Sequence, residues 1–488
     1  MESFGEKCGI VAVFGRGLEV SRLAFFSLFA LQHRGQESSG IAVTDGTTVR
    51  VHKNVGLVTQ VYTEDNIRNL AGHIAIGHNR YSTSLGTGIH HVQPIIEENL
   101  TLAHNGNLPS VQALKNFFSE KSMDVSGLND SELMARAISC YFNGSTSFDW
   151  VQDKSLAIKN GLPIEEAVCA ALPLFTGAYS LAIMTKDTLI VMRDQCGIRP
   201  LSMGRLNGGY VFASESCAFK AIGAEFLRDV GPGEMIVIDD RGMRSFQALP
   251  ANPRLDMFEF VYFARPDSIL LGKSVYEVRR NFGIRLASEF ALDADIVVPI
   301  PDTAIPAAIG YSNALKIPFE MAIVKNRYIH RTFIEPDQHS RTLGVKMKLS
   351  PLPELLKGKR VAVVDDSIVR GTTSRQIVQM LFEAGAKEVH FLVSSPPLRY
   401  PDFYGIDISE QIKLIAFHKT PEEVRQYLGA TSLSYLSLGG MIEATGIPKE
   451  LFSLSCFNGE YPIDLHERVN DFEQPNRVKS AAGAFLGQ

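Results

Sequence analysis

Asp365 and Asp366 close an apolar run, Val361-Ala362-Val363-Val364, and are followed by Ser367-Ile368-Val369-Arg370-Gly371-Thr372-Thr373-Ser374. Four apolar residues in a row fit a strand covered on both faces. Gln376 to Ala384, bounded by Gly385, fits a helix opened by the Thr372–Ser374 hydroxyls. A loop between a strand end and a helix start gathers unpaired backbone N–H groups, and Gly371 lets that backbone approach an anion closely. The spot suits a phosphorylated sugar. The two carboxylates would repel its phosphate, so they must face something else, for which ribose hydroxyls and a magnesium ion, a hard cation that selects carboxylate oxygens, are the candidates. The plainer alternative, a buried strand running out into a solvated acidic turn, does not explain why glycine and threonines fall at anion-binding offsets.

A basic stretch, Asn326 to Leu349, precedes that strand and shows no clear periodicity. Lys325, Arg327, His330, Arg331, Arg341, Lys346 and Lys348 would let it close over a pyrophosphate as a lid; a solvated positive loop is the alternative. Around these segments, strands and helices alternate: Ile296–Ile300, a helix to Leu315, Phe319–Val324, Arg360–Val364, a helix to Ala384, Val389–Ser394, Leu414–His418 and the helix Glu422–Leu428. That alternation predicts an α/β doubly wound parallel sheet with its ligands beyond the carboxyl ends of the strands. The anion loops Pro301-Asp302-Thr303-Ala304 and Asp365–Ser374 each directly follow such a strand.

The first half reads differently. Strands at Ile10–Phe14, Gly40–Thr44, His73–Gly77, Thr101–His104, Tyr179–Thr185 and Leu189–Met192, with few helices between, predict an α+β, sheet-rich domain. Leu23 to Leu31 reads as a core helix started by Ser21, since it is far shorter than a bilayer crossing. The prolines and asparagine of Leu249-Pro250-Ala251-Asn252-Pro253 mark a seam near residue 250, and the chain after residue 470 reads as a weakly held tail. At 488 residues the chain is too long for one ordinary core. A charged fraction of 21% and a net charge of −5 leave no basic excess to track nucleic acid, and no segment reads as a membrane anchor, so a cytoplasmic enzyme is expected. Six scattered cysteines without a C-x-x-C pair argue against both a disulfide framework and a zinc site.

Cys8-Gly9-Ile10, Leu31-Gln32-His33-Arg34-Gly35-Gln36-Glu37, Gly77-His78-Asn79-Arg80-Tyr81-Ser82-Thr83 and Ala103-His104-Asn105-Gly106-Asn107 together resemble the class II glutamine amidotransferases, N-terminal-nucleophile hydrolases with an αββα sandwich. The resemblance implies that the thiol of Cys8 attacks the glutamine amide with its own α-amine as base. It assigns the oxyanion to the Asn105 side chain and the Gly106 N–H, the substrate α-carboxylate to Arg80 and the α-ammonium to Asp130. A free α-amine has a pKa of about 7.7–8.0, close to working pH. Taken singly, His-Asn-Gly reads as a hairpin turn, Asp130 as a helix cap and Arg80 as a surface charge. Because Cys8 is not the first residue, residues 1–7 are expected to be a propeptide, leaving a glutaminase domain at 8–250, a second domain at 251–470 and a tail at 471–488.

The Asp365–Ser374 run resembles the type I phosphoribosyltransferase signature, and the whole chain resembles the glutamine phosphoribosylpyrophosphate amidotransferases. Phe260-Val261-Tyr262-Phe263-Ala264-Arg265-Pro266-Asp267-Ser268, Lys325-Asn326-Arg327-Tyr328 and Arg331-Thr332-Phe333-Ile334 extend the likeness. It implies that ammonia from glutamine attacks C1 of phosphoribosyl pyrophosphate, releasing pyrophosphate, in purine synthesis. Asp365, Asp366, Ser367, Arg370, Gly371, Thr372, Thr373, Ser374, Lys325 and Arg331 would bind that substrate, and Thr303, Asp365 and Asp366 would surround Mg2+. Purine nucleotides as inhibitors and a homodimer or homotetramer are implied as well. Some members carry a four-iron cluster; here Asp256, Asp402 and Ser453 occupy the matching places and only Cys456 remains, so no iron–sulfur cluster is expected. The rivals are an amidotransferase acting on a sugar phosphate or aspartate, a non-catalytic nucleotide-binding regulator, and a phosphoribosyltransferase with an unrelated first domain.

Overall fold

A computed structural model describes residues 8–80, 89–144, 161–326, 347–405, 410–472 and 479–480. The chain divides into two compact units, with the main break between Asp256 and Met257. The described residues 402–405 and 460–472, which the sequence groups with the second half, belong instead to the first unit.

The first unit is built on two antiparallel sheets. Seven strands form one: β1 (Gly9–Phe14), β2 (Ser38–Thr44), β3 (Val49–Val55), β4 (Ile74–Arg80), β9 (Ser202–Leu206), β10 (Gly209–Ala213) and β11 (Glu225–Asp229), in the order β11-β9-β10-β1-β4-β2-β3. Six form the other: β5 (Ile95–Glu97), β6 (Leu100–Ser110), β7 (Thr176–Met184), β8 (Leu189–Arg193), β12 (Glu234–Asp239) and β13 (Gly242–Gln247), in the order β13-β12-β8-β7-β6-β5. Successive side chains of a strand face opposite ways, and here both faces are apolar. Val11 and Val13 pack on the helix Val20–Ala30, whereas Ile10 and Ala12 meet Ala103 and Ala182 of the other sheet. Leu100 and Leu102 in turn pack on the helices Gln112–Glu120 and Asp130–Phe142. Helix, sheet, sheet and helix therefore stack as the expected αββα sandwich.

One local expectation is corrected and one alternative excluded in this unit. The helix Val20–Ala30 is not started by Ser21: Glu19 is its N-cap, without a side-chain cap bond, and the Ser21 hydroxyl donates to Ile67 O at 3.1 Å. His104-Asn105-Gly106 is no hairpin turn, since it runs through the middle of β6, with Asn105 opposite Ser180 and Gly106 opposite Tyr179.

The second unit carries a four-stranded parallel sheet in the spatial order Ile296–Pro299, Arg360–Asp365, Glu388–Val393, Ser432–Tyr435. A parallel bridge from Val297 to Phe319 lies on the far side of the first strand. After that strand the chain goes one way, and it then returns to build Arg360–Asp365 on the other. This reversal is a topological switch point, and open α/β sheets bind ligands there, beyond the strand ends. The expected strand Leu414–His418 is instead a helix over Ile415–His418, and the fourth strand is Ser432–Tyr435. Phe319–Val324 is likewise not one strand: beyond the Phe319 bridge, Ile323–Lys325 pairs antiparallel with Leu349–Pro351.

Candidate functional site

Cys8 immediately precedes β1, the central strand of the seven. On one side β1 pairs with β4 through Gly9↔Asn79 and Ile10↔His78. Continued by one residue, this antiparallel register sets the half-buried Cys8 opposite Arg80, the last residue of β4. Asn79 fixes that end of the strand: wholly buried, it donates from Nδ2 to Leu28 O at 2.7 Å and accepts from Ser39 Oγ at 2.9 Å. The segment just after Arg80, residues 81–88, lies outside the described residues.

From the second sheet, β6 contributes buried Asn105 and half-buried Gly106. Gly106 has φ +148°, and a Cβ there would fall 2.0 Å from Ala178 O, so only glycine fits this place. Asn105 donates from Nδ2 to Ser214 Oγ at 3.3 Å, and the same oxygen accepts Ile10 N at 2.9 Å. Ser214 thus joins the strand of Cys8 to the side chain of Asn105.

Asp130 is the first residue of the helix Asp130–Phe142 and not its cap. Asn129 caps it, accepting from Glu132 N at 2.9 Å while Glu132 accepts from Asn129 N at 2.8 Å. The carboxylate is therefore available to β6, where it accepts Leu108 N at 3.3 Å and stands 3.8 Å from His104 Nδ1. His104 is held by Gln93, which accepts its N–H at 2.7 Å, and by Ser131 Oγ at 3.0 Å from Nδ1. His78 reaches across the sandwich from β4 to His104 O at 3.1 Å. Burial pushes His78 down to about 3 and lowers His104, so both rings are neutral at ordinary pH. A neutral His78 donating from Nε2 leaves Nδ1 as a bare acceptor, and Nδ1 is buried without a protein partner.

In the second unit, Asp365 ends its strand and Asp366, Ser367 and Gly371 are buried in the loop that follows. Asp365 accepts Asp366 N at 2.9 Å, and Ser367 Oγ donates to Asp366 at 2.7 Å. Burial, and then the charge of Asp366, push the Asp365 carboxyl well above the ordinary carboxylate range. Such a crowded acidic pair is relieved by hydroxyl donors or a cation. Gly371, at φ +76°, is the N-cap of a helix that begins at Thr372 and runs to Glu383, four residues earlier than the sequence predicts. Thr372, Thr373 and Ser374 consequently sit in its first turn, where N–H groups lack intrahelical acceptors, rather than serving as caps. The 301–304 loop follows the adjacent strand end, with Ile300 N donating to Val364 O at 2.9 Å. From that loop Asp302 pairs with Lys325 at 2.7 Å. Arg331, His330 and most of the expected lid lie outside the described residues, but its ends are tied as a ribbon, Asn326 N donating to Lys348 O at 2.8 Å.

Sequence reasoning missed Ser214 and Gln93. Neither lies in a segment that resembles a motif, and each acts through a partner about a hundred or ten residues away, a relation with no local signature. Glu215 is a third: wholly buried, it takes Arg34 Nε, and His33 Nε2 at 2.6 Å. The segment 31–37 carried the resemblance, but nothing in it named this partner.

Residues 78–221 match the glutamine amidotransferase domain family, and residues 271–400 the phosphoribosyl transferase domain family. An amidophosphoribosyltransferase of Synechococcus elongatus is 45% identical over 473 residues, covering 95% of this chain and 93% of that protein. The solved structure of the glutamine phosphoribosylpyrophosphate amidotransferase from B. subtilis, complexed with ADP and GMP, superimposes with a TM-score of 0.85 at 42% identity, over 94% of this chain and 98% of that one. A second, described as the allosteric regulatory enzyme of purine biosynthesis, gives 0.86 at 40% identity, over 97% and 100%. With both domains matched and such identity running the length of the chain, the protein belongs to the amidophosphoribosyltransferase family, enzymes of glutamine-dependent amidotransfer to phosphoribosyl pyrophosphate in purine biosynthesis.

Proposed function

We propose that the two halves of this reaction are divided between the two sites, with Cys8, Arg80, Asn105, Gly106 and Asp130 releasing ammonia in the first unit and the Asp365–Ser374 loop receiving it in the second. The observation that carries the first half is the strand register that sets Cys8 opposite Arg80 while Ser214 links Ile10 to Asn105. Removal of residues 1–7 frees the α-amine of Cys8, which takes the thiol proton as sulfur attacks the glutamine amide carbon. The oxyanion is met by the second Asn105 N–H and by Gly106 N–H, each such donor being worth about 2.7–4 kcal/mol of barrier. Arg80 pairs with the substrate α-carboxylate and Asp130 with its α-ammonium. Collapse, with the α-ammonium passing that proton to the amide nitrogen, expels ammonia, and water then releases glutamate from the thioester.

In the second unit Asp365 and Asp366 hold the ribose hydroxyls, and Ser367, Arg370, Gly371, Thr372, Thr373 and Ser374 take the 5′-phosphate at the helix start. Lys325 is assigned to the pyrophosphate, and so is Arg331, which lies outside the described residues. Ammonia adds to C1 as the C1–oxygen bond breaks and pyrophosphate leaves. Two adjacent carboxylates with a nearby threonine fit Mg2+, which takes few protein ligands and completes its shell with substrate oxygens; among the described residues no cluster of three or more His, Cys, Asp or Glu side chains forms a self-sufficient metal site. Asp365, Asp366 and Thr303 would hold the ion, which would supply positive charge against the leaving pyrophosphate. Purine nucleoside monophosphates share the ribose and 5′-phosphate that this loop binds, which supports their action as inhibitors. No helix among the described residues is long and apolar enough to cross a membrane.

Two variants test the division. Cys8→Ala abolishes synthesis from glutamine but leaves synthesis from added ammonia, whereas Asp366→Ala removes both. Loss of both activities in a folded Cys8→Ala protein would refute the separation.

A further inference from the structure

We propose that Ser214 is a positioning residue for the glutaminase step, its hydroxyl oxygen fixing the Asn105 carboxamide relative to the strand that carries Cys8. The inference deepens the reading above and rests on Cys8 and Asn105 acting as stated there. Ser214 is wholly buried and follows the last residue of β10. Its N–H donates to Ile10 O at 3.0 Å, as an antiparallel ladder requires. The return bond is unusual: Ile10 N donates to Ser214 Oγ at 2.9 Å, where a ladder would use the carbonyl. The side chain thus stands in for the backbone two residues after Cys8.

Asn105 Nδ2 donates to that same oxygen at 3.3 Å. Two N–H donors fill both acceptor positions of the hydroxyl. For Asn105 the bond decides which way the amide faces, with one N–H spent on Ser214 and the other left for an anion. Without the Ser214 oxygen, nothing in this contact prevents a half-turn that presents Oδ1, an acceptor, to the developing negative charge. The next residue anchors the device. Glu215 is wholly buried and bonded to Arg34 and His33, and Arg34 lies against Gly9, where a Cβ would be 3.4 Å from that of Arg34. Ser214 therefore holds the start of β1 from the side opposite β4, and Glu215 holds it through Arg34.

The test is steady-state kinetics of Ser214→Ala with glutamine and with ammonia as nitrogen source, read beside Asn105→Ala and the double variant. Loss of the tether lowers kcat for glutamine hydrolysis about 10- to 100-fold, leaves KM for glutamine within about two-fold because Arg80 and Asp130 are untouched, and spares ammonia-dependent synthesis. In the Asn105→Ala background, Ser214→Ala adds nothing further. Multiplying losses in the double variant, or a KM rise at constant kcat, would overturn the proposal. An Asn105→Ala enzyme with full kcat would instead overturn the oxyanion assignment itself. Should Ser214→Ala fail to fold, Ser214→Thr, which keeps the oxygen, retains kcat while Ser214→Cys, which keeps the bulk but accepts weakly, loses it; equal kcat in those two also sinks the idea.

Discussion

His78 and His104 show how a polar residue is made inert to pH inside a sandwich. His78 is completely buried, with Nε2 spent on His104 O, and its protonation is suppressed from the usual 6.5 to about 3. The sign of the linkage follows. Below about pH 6.5 the unfolded chain binds a proton that the folded protein refuses, so stability is complete above that pH and declines as pH falls toward 3. Between about pH 6 and pH 5 the wild-type protein loses about 1 kcal/mol more than His78→Gln, which keeps a donor but cannot titrate. Denaturant melts of both proteins across that interval check it, and parallel curves would contradict it. At this scale part of the candidate site was legible in the sequence: the segments holding Arg80, Asn105 and Gly106 were singled out by their resemblance to the class II glutamine amidotransferases. Ser214, Gln93 and Glu215 were not, because a serine, a glutamine or a glutamate acquires its role only from a partner the fold delivers.

Among the elements, sequence patterns served best where periodicity was long and worst where a short apolar run had to choose a state. The continuous apolarity of β1 and of Val361–Val364 within the strand Arg360–Asp365 was readable in both cases. Leu414–His418 reads as a strand because five residues with three large apolar side chains cannot distinguish strand from helix. The early start of the Thr372–Glu383 helix has a different cause: Gly371 supplies the left-handed N-cap, a role that serine or threonine usually fills with a side-chain oxygen. This makes Gly371 the hinge between acidic pair and helix. A Cβ there would lie 2.8 Å from Ile415 Cδ1 in a conformation that alanine resists. Gly371→Ala therefore costs about 1 kcal/mol of stability and raises KM for phosphoribosyl pyrophosphate about ten-fold or more, equally with glutamine or ammonia as nitrogen source. Kinetics in both assays check this, and an effect confined to glutamine would assign the loop a different role.

For the molecule as a whole, the nucleophile's amine is the quantity to measure. Cys8 follows seven residues in the encoded chain, and those residues lie outside the described set. The active enzyme is expected to begin at Cys8, so its intact mass falls short of the full chain by the mass of residues 1–7. A fully active glutaminase that retains all seven would mean that another group removes the thiol proton. The two-domain division was legible from the change between sheet-rich and alternating patterns; the return of late residues to the first unit was not, since neither composition nor periodicity marks it.

That return has a consequence for how the protein is born. Asn107, one residue beyond Gly106, donates to Phe403 O at 2.8 Å, and fully buried Tyr404 bonds Ile463 O at 2.6 Å, all within the first unit. A nascent chain that has cleared the ribosome only as far as residue 256 lacks these closing strips, so Asn107 and the end of β6 gain their last partners only once residues 402–472 have been made.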